Sequence, residues 1–143
     1  MCTRALAFAV AALALLVSAI AVADKPSIKK VPVPYTSPAS GQEMYVNYCA
    51  ACHGKDGRGD GPAMPALKSA PTDLTMLTKQ HGGKFPSDHV YAVLVGRAEL
   101  AAHGSQEMPA WGPIFMRLGQ GHTAEVQQRA TNLTKYIESL QVR

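Results

Sequence analysis

The strongest constraint on how this 143-residue chain folds is the short stretch Cys49-Ala50-Ala51-Cys52-His53. It places two thiols and an imidazole within a few positions of one another. On a helix, Cys49, Cys52 and His53 occupy positions i, i+3 and i+4, so all three side chains project from one face. The fold must therefore present this face to whatever the three groups hold.

The first 23 residues have the pattern of a secretory signal peptide. Arg4 precedes an apolar stretch, residues 5–23, which only Ser18 interrupts and which ends on Ala21-Val22-Ala23. A positive start, an apolar middle and an A-x-A end are typical of such a peptide. An uncleaved anchor is the alternative, since the stretch approaches the ~20 residues that span a bilayer. The lysines that follow the stretch favour export and cleavage.

Cleavage would remove Cys2 and leave Cys49 and Cys52 as the thiols of the mature chain. Exported proteins usually use cysteines to join separate segments. A bridge between residues so close in sequence would close almost no loop and would constrain little chain entropy. The pair therefore has another role.

The charge of the chain argues against nucleic acid as a partner. The sequence has 14 basic and 10 acidic residues, and much of the excess lies in the signal peptide and the lysines after it. No basic patch interleaved with aromatic residues is present, which a nucleic-acid-binding surface would show.

The composition divides the chain into three parts. After the signal peptide, residues 24–39 are rich in proline and lysine without apolar periodicity, which predicts an extended tether. The composition changes at Ser40, so we expect one domain over residues 40–143. Ser40 and Glu43 have the S-x-x-E spacing of a capping box, which predicts a helix from about Gly41 to His53.

The sequence of the rest of the domain predicts helices joined by long loops. A glycine-rich stretch over residues 54–61 excludes regular structure. A helical turn is expected over residues 73–79, and Ser87 is expected to cap a helix that Gly96 ends. Residues 98–113 are predicted to form a loop. The final helix, capped by Thr123, has one apolar stripe, which comprises Val126, Ala130, Leu133, Ile137 and Leu140.

No segment alternates over the length of a strand, so we predict an all-α fold of four to five short helices. Long loops are unusual in a domain of this size unless they have a function. They are expected here if they wrap around a group that is not protein.

Three chemistries use a Cys-x-x-Cys pair. A structural zinc site needs four ligands, and neither a second cysteine pair nor closely spaced histidines are present. A thioredoxin-like dithiol lies where a strand meets a helix, whereas a helix already precedes this pair. The order C-x-x-C-H is the attachment signature of a c-type haem, in which two thiols bond one porphyrin and the histidine binds its iron.

The stretches GQEMYVNYCAACHGKDGRGDGP, PTDLT, EMPAWG and LTKYIESLQ together resemble a class I, single-haem c-type cytochrome. The resemblance covers about residues 41–141 and implies a compact helical fold around one covalent haem c. It also implies that the first helix crosses the last, with Gly41 and Tyr45 opposite Leu133 and Tyr136.

His53 would supply one axial ligand of the haem iron, and Met108 is the candidate for the other. Met108 precedes Pro109, so its backbone is kept out of helical geometry on an extended loop. The resemblance also places the distal methionine in such a segment. The alternatives are Met76, Met116 and His103.

Four further residues are expected to surround the haem, one because of the resemblance and three because of their side-chain chemistry. By resemblance, the Pro62 carbonyl would accept the second N–H of His53. Tyr48, Arg97 and Trp111 carry donors for the haem propionates.

These features favour a one-electron carrier of the bacterial periplasm rather than an enzyme. Its redox partners would be a dehydrogenase or a terminal oxidase, and its membrane contact would be through partners or an uncleaved anchor. Two alternatives stay open: a haem enzyme or gas or peroxide sensor with an open sixth position, and an electron-entry subunit of a larger complex. We expect a monomer or a complex subunit.

Overall fold

The computed structural model describes residues 31–98 and 108–142, and every regular element in this part is helical. The all-α prediction is confirmed. The α-helices are α1 Gly41–Tyr48, α2 Ala50–His53, α3 Leu77–Gln80, α4 Ser87–Val95, α5 Trp111–Leu118 and α6 Thr123–Ser139. Two short 3-10 turns, Met64–Ala66 and Leu74–Met76, precede α3. The expected signal peptide lies outside the described residues.

No helix within the described residues has both the length and the apolar character that a membrane crossing requires.

The predicted first helix is divided into α1 and α2, which meet at Cys49. The φ angle of Cys49 is −113°, away from regular helical values. Backbone hydrogen bonds nevertheless continue through the junction, because Cys49 N–H donates to Tyr45 and His53 N–H donates to the Cys49 carbonyl at 2.8 Å. Cys49, Cys52 and His53 therefore still project from the same side of the chain, as they would on a single helix.

Helix α1 begins as predicted, with one change in its cap. The Ser40 hydroxyl accepts a hydrogen bond from Glu43 N–H at 3.1 Å. The Glu43 carboxylate accepts from Ser37 N–H instead of Ser40 N–H. One half of the capping box is therefore formed as predicted, and the other half reaches Ser37, three residues before the cap. The reason is that the Ser40 N–H is already bonded to the Ser37 carbonyl.

Two predicted caps are shifted by one residue. Ser87 is the first residue of α4 rather than its cap, and Pro86 holds the cap position. In the same way His122 precedes α6, and Thr123 is its first residue. The predicted end of α4 is correct, since Gly96 has a φ of 78°, a conformation that glycine adopts without strain.

The prediction of loop over residues 98–113 is wrong at its C-terminal end. Helix α5 begins at Trp111 and has Gly112 and Pro113 in its first turn. Proline is tolerated there because the first N–H groups of a helix have no partner within it. This helix and the division at Cys49 explain why residues 31–98 and 108–142 contain six α-helices instead of four to five.

Helices α1, α4 and α5 pack against α6 and enclose the hydrophobic core. The core includes Met44, Leu94, Phe115, Leu133 and Ile137, so most of the predicted α6 stripe is buried. At the crossing of α1 and α6, the rings of Tyr45 and Tyr136 are 5.2 Å apart. The crossing therefore uses the residues that the resemblance implied.

The end of the predicted tether is packed against the domain. Thr36 is 1% exposed, and the Asn132 side chain of α6 donates to the Pro38 carbonyl at 2.9 Å. Residues 34–39 thus belong to the folded unit, although the composition of this segment predicts an extended tether. Side-chain hydrogen bonds rather than an apolar stripe hold it, which is why periodicity did not show it.

Candidate functional site

A cavity of about 540 Å³ opens beside α2 and has walls from the 67–77 segment, α4, α5 and α6. Its volume is in the range of pockets that hold small molecules and cofactors. The four residues that the sequence predicts as attachment sites and iron ligands line it together: Cys49, Cys52, His53 and Met108.

The walls of the cavity are mostly apolar. The 3-10 turn before α3, α3 itself, α4 and α6 supply these side chains: Leu74, Leu77, Val90, Val93, Leu94 and Ile137. Apolar walls exclude water, and the burial of a redox centre is one of the factors by which a protein sets its potential. The arrangement suits a flat apolar group that needs a few polar ligands.

Neither cysteine is in a disulfide, and Cys49 is the more buried of the two. Burial raises the pKa of the Cys49 thiol to about 12, with a smaller contribution from Cys52. A redox-active dithiol needs a cysteine whose pKa is lowered, because the thiolate is the nucleophile. Cys49 therefore does not provide the reactive thiolate that the dithiol alternative needs.

The zinc alternative also lacks structural support. Within residues 31–98 and 108–142, no three or more histidine, cysteine or acidic side chains come together in a way that could hold a metal ion. The four protein ligands that a structural zinc site requires are therefore not found together in the part of the chain that the structure describes.

The structure pairs His53 with a carbonyl other than the expected one. Its ring Nδ1 lies 3.1 Å from the carbonyl oxygen of Thr72. Pro62 is exposed and does not line the cavity. A ring whose Nδ1–H donates to a carbonyl has its lone pair on Nε2, and such a bond orients a ligating histidine.

The glycine-rich loop explains the position of Pro62. Gly61 N–H donates to the Cys52 carbonyl, and Ala63 N–H donates to the Ala51 carbonyl, so this turn lies on the end of α2. A Cβ on Gly61 would lie 2.6 Å from the Cys52 carbonyl oxygen, which no real side chain tolerates. The turn is thereby fixed with Pro62 directed to the surface.

Met108 is half-buried, packs against the hydrophobic core and lines the cavity. The remaining methionines of the described residues do not line it. Met44 is buried in α1, and Met116 is exposed on α5. Of the alternatives, Met76 lies in a 3-10 turn and does not line the cavity, and His103 lies outside the described residues.

The three expected propionate donors are placed differently from one another. Tyr48 and Trp111 both line the cavity, and their rings stack with centroids 5.0 Å apart. The Tyr48 hydroxyl, however, donates to the Pro34 carbonyl at 2.8 Å. Arg97 is exposed and lies over the ring of Tyr91, outside the cavity. The structure therefore does not place Arg97 as a donor into the site.

Sequence reasoning missed two histidines of the cavity wall. His81 and His89 both line it, and their rings are 6.4 Å apart. They lie eight positions apart on either side of a turn, so no short spacing marks them in the sequence. No sequence signal could have identified them, because only the packing of α3 and α4 around the same cavity brings them together.

The donor set and the walls fit a haem bonded through thioethers. Two thiols, an imidazole and a thioether sulfur surround one apolar cavity, and an all-helical fold encloses it. A fold and a site of this kind define the c-type cytochromes.

Comparison with known families supports this class. Residues 36–120 match the model of the family described as cytochrome c oxidase, cbb3-type, subunit III, and since this is more than half of the chain, the protein belongs to that family. It therefore carries a covalently bound c-type haem with its iron and acts in haem-based electron transfer with redox partners. No curated protein and no solved structure gives a significant match.

Proposed function

We propose that the protein is a one-electron carrier of a periplasmic respiratory or dehydrogenase chain, and that residues 1–23 export it. The observation that carries the proposal is the meeting of Cys49, Cys52, His53 and Met108 at one apolar cavity. The bound haem supplies a reversible change between ferrous and ferric iron.

In this proposal the two cysteines attach the group, and His53 and Met108 are its axial ligands. The Thr72 carbonyl orients the His53 ring through Nδ1. A thioether ligand favours the reduced iron and raises the potential relative to a second histidine. With both axial positions filled, no site is open for a substrate.

Folding positions these groups before electron transfer, so little rearrangement is needed during it. Backbone hydrogen bonds through Cys49 hold the cysteines and His53 on one continuous stretch. The apolar side chains of α4 and α6 exclude water from the cavity. These residues bind, orient and shield the redox group rather than react.

The proposal is tested first by haem content and spectrum. Protein produced with the haem attachment machinery should give one c-type haem per chain in a pyridine haemochrome assay. Replacing both Cys49 and Cys52 with serine should abolish covalent haem, whereas replacing Ser139, which is exposed on α6 and does not line the cavity, with alanine should not. Full covalent haem in the double serine variant would contradict the attachment sites.

The family gives one observation in favour of a second function. The matched family is that of an oxidase subunit, so the chain would be an electron-entry subunit held in a larger complex. Gel filtration of the native exported protein separates the two proposals. A carrier elutes at the size of one 15.2 kDa chain or slightly below, and a subunit elutes with its complex.

A further inference from the structure

The most unusual buried group in the described residues is Arg129, in the middle of α6. Its side chain is fully buried, although arginine is almost never fully buried without a partner. Its guanidinium lies 2.7 Å from the Glu125 carboxylate one turn earlier, so the buried charge is neutralised locally. Glu125 does not account for all of its donors.

A second donor of Arg129 leaves α6 for the N-terminal segment. Its Nη1 donates to the Thr36 hydroxyl at 3.1 Å, across 93 positions of sequence. The guanidinium also lies over the ring of Tyr35, 5.1 Å from its centroid. Arg129 therefore holds residues 35 and 36 against the helical core.

From Thr36 the contacts continue to the cavity wall. The Thr36 hydroxyl lies 2.7 Å from the Tyr48 hydroxyl, which also donates to the Pro34 carbonyl. Tyr48 stacks on Trp111, and both rings line the cavity. A chain of polar contacts thus connects a buried charge on α6 to an aromatic pair beside the bound group.

The direction of every hydrogen bond in this chain is determined. Arginine only donates and a carbonyl only accepts, so the single Tyr48 proton goes to Pro34. The Thr36 hydroxyl must then donate to Tyr48 while it accepts from Arg129. Hydrogen bonds aligned in this way strengthen one another, so loss of the Thr36 hydroxyl breaks the series at its centre.

We propose that Arg129 and Thr36 are positioning residues for haem electron transfer: together they hold the Tyr48–Trp111 wall closed and keep water from the haem. The inference rests on the proposed haem site in this cavity. Without the Thr36 hydroxyl, Tyr48 loses a partner at its buried side, and the wall becomes looser. Water beside a haem stabilises the charged ferric form, so the midpoint potential should fall.

The test uses two substitutions at Thr36 in the full-length, haem-loaded protein. Thr36→Val keeps the shape but removes the hydroxyl, whereas Thr36→Ser keeps the hydroxyl. Thr36→Val should lower the midpoint potential, and Thr36→Ser should leave it at the wild-type value. Tyr48→Phe should lower the potential like Thr36→Val, and the double variant should not lower it further, because one series is broken in all three.

The chain offers an independent optical readout, since Trp111 is its single tryptophan. Haem beside Trp111 quenches its emission, so a looser wall should raise the emission of the Thr36→Val protein. Thr36→Ser should show no increase. Arg129→Lys should behave like Thr36→Val, because an ammonium lacks the planar fork that reaches Glu125 and Thr36 together. If the lysine variant does not fold, the comparison of Thr36→Val with Thr36→Ser is sufficient for the test.

A buried threonine elsewhere serves as the matched control. The Thr134 hydroxyl donates to the Ala130 carbonyl of its own helix at 2.8 Å, and Thr134 does not line the cavity. Thr134→Val should leave both the potential and the emission unchanged. An equal fall of the potential in Thr134→Val and Thr36→Val would overturn the proposal, since the effect would then be a general loss of stability.

Two failures remain distinguishable. If Thr36→Val and Tyr48→Phe bind one covalent haem and keep wild-type potential and emission, the positioning role is wrong and the proposed function stands. If the wild-type protein itself binds no covalent haem at Cys49 and Cys52, the proposed site is wrong, and the role derived from it falls with it.

Discussion

Gly41 of α1 lies so close to Asn132 of α6 that a Cβ at position 41 would overlap the Asn132 backbone carbonyl. The same Cβ would lie 2.8 Å from the Cβ of Tyr136. Backbone rather than a flexible side chain blocks this space. A Cβ at position 41 would therefore fit only if the two helices moved apart. The crossing of α1 and α6 therefore depends on the absence of a side chain at this position.

Gly41→Ala should accordingly destabilise the fold. Overpacking of this kind costs about 1–3 kcal/mol, and the higher helix propensity of alanine offsets less than about 1 kcal/mol of it. Denaturant unfolding of the haem-loaded protein measures the difference. The neighbouring exposed Gln42→Ala is the control and should change stability by less than about 0.5 kcal/mol. Equal stability of the Gly41 variant and wild type would show that the helices do not pack this closely.

Met108→Ala should open one axial position. The weak red absorption band characteristic of methionine bound to ferric haem should disappear, and carbon monoxide should bind the ferrous protein readily. The midpoint potential should fall, because the thioether favours ferrous iron. Absorption spectra and a redox titration provide these measurements.

Met116→Ala is the matched control for this experiment, since Met116 is an exposed methionine of α5 that does not line the cavity. It should keep the band and the potential. Loss of the band in Met116→Ala but not in Met108→Ala would reverse the ligand assignment. Ready binding of carbon monoxide by the wild-type protein would favour the sensor or enzyme alternative.

Tyr45→Phe should reduce stability and also change its dependence on pH. The Tyr45 hydroxyl donates to the Gly54 carbonyl at 2.8 Å, and burial raises the pKa of Tyr45 above its ordinary value of 10.0. Loss of the hydrogen bond should cost about 1 kcal/mol at neutral pH.

The sign of the pH effect follows from proton linkage. Above about pH 10 the unfolded chain loses the Tyr45 proton while the folded protein keeps it, so wild-type stability falls as the pH rises. Tyr45→Phe lacks this contribution, and its stability curve should be flatter above pH 10. Gln42→Ala, which changes an exposed residue that does not titrate, should parallel the wild type. Parallel curves for Tyr45→Phe and wild type would contradict the raised pKa.

Gln141→Ala should loosen one wall of the cavity. The Gln141 amide donates to the Leu74 carbonyl at 2.7 Å and accepts from Thr78 N–H at 2.8 Å, and so joins the C-terminal end to the segment that carries Leu74 and Leu77. Each lost bond is worth about 1 kcal/mol.

Thermal unfolding and the rate of amide hydrogen exchange at Thr78 measure this effect. We expect a lower melting temperature and faster exchange at Thr78 in Gln141→Ala. Gln127→Ala, at an exposed position of α6, should change neither. Unchanged exchange at Thr78 in Gln141→Ala would show that the wall is held by its apolar side chains alone.

The sequence by itself determined the class of this protein. The spacing of Cys49, Cys52 and His53 is local, so one short helical stretch is enough to place the three side chains together. The apolar stripe of α6 is local as well, because helical periodicity depends only on neighbours along the chain. The all-α fold and the covalent haem could therefore be predicted without coordinates.

Only the tertiary structure decided which distant groups surround the site. The carbonyl that lies 3.1 Å from the His53 ring belongs to Thr72, 19 positions along the chain, whereas the resemblance implied Pro62. The buried Arg129 and the docked Thr36 are joined by one hydrogen bond across 93 positions. No periodicity encodes such a contact, since its energy depends on the close approach of side chains that the whole fold brings together.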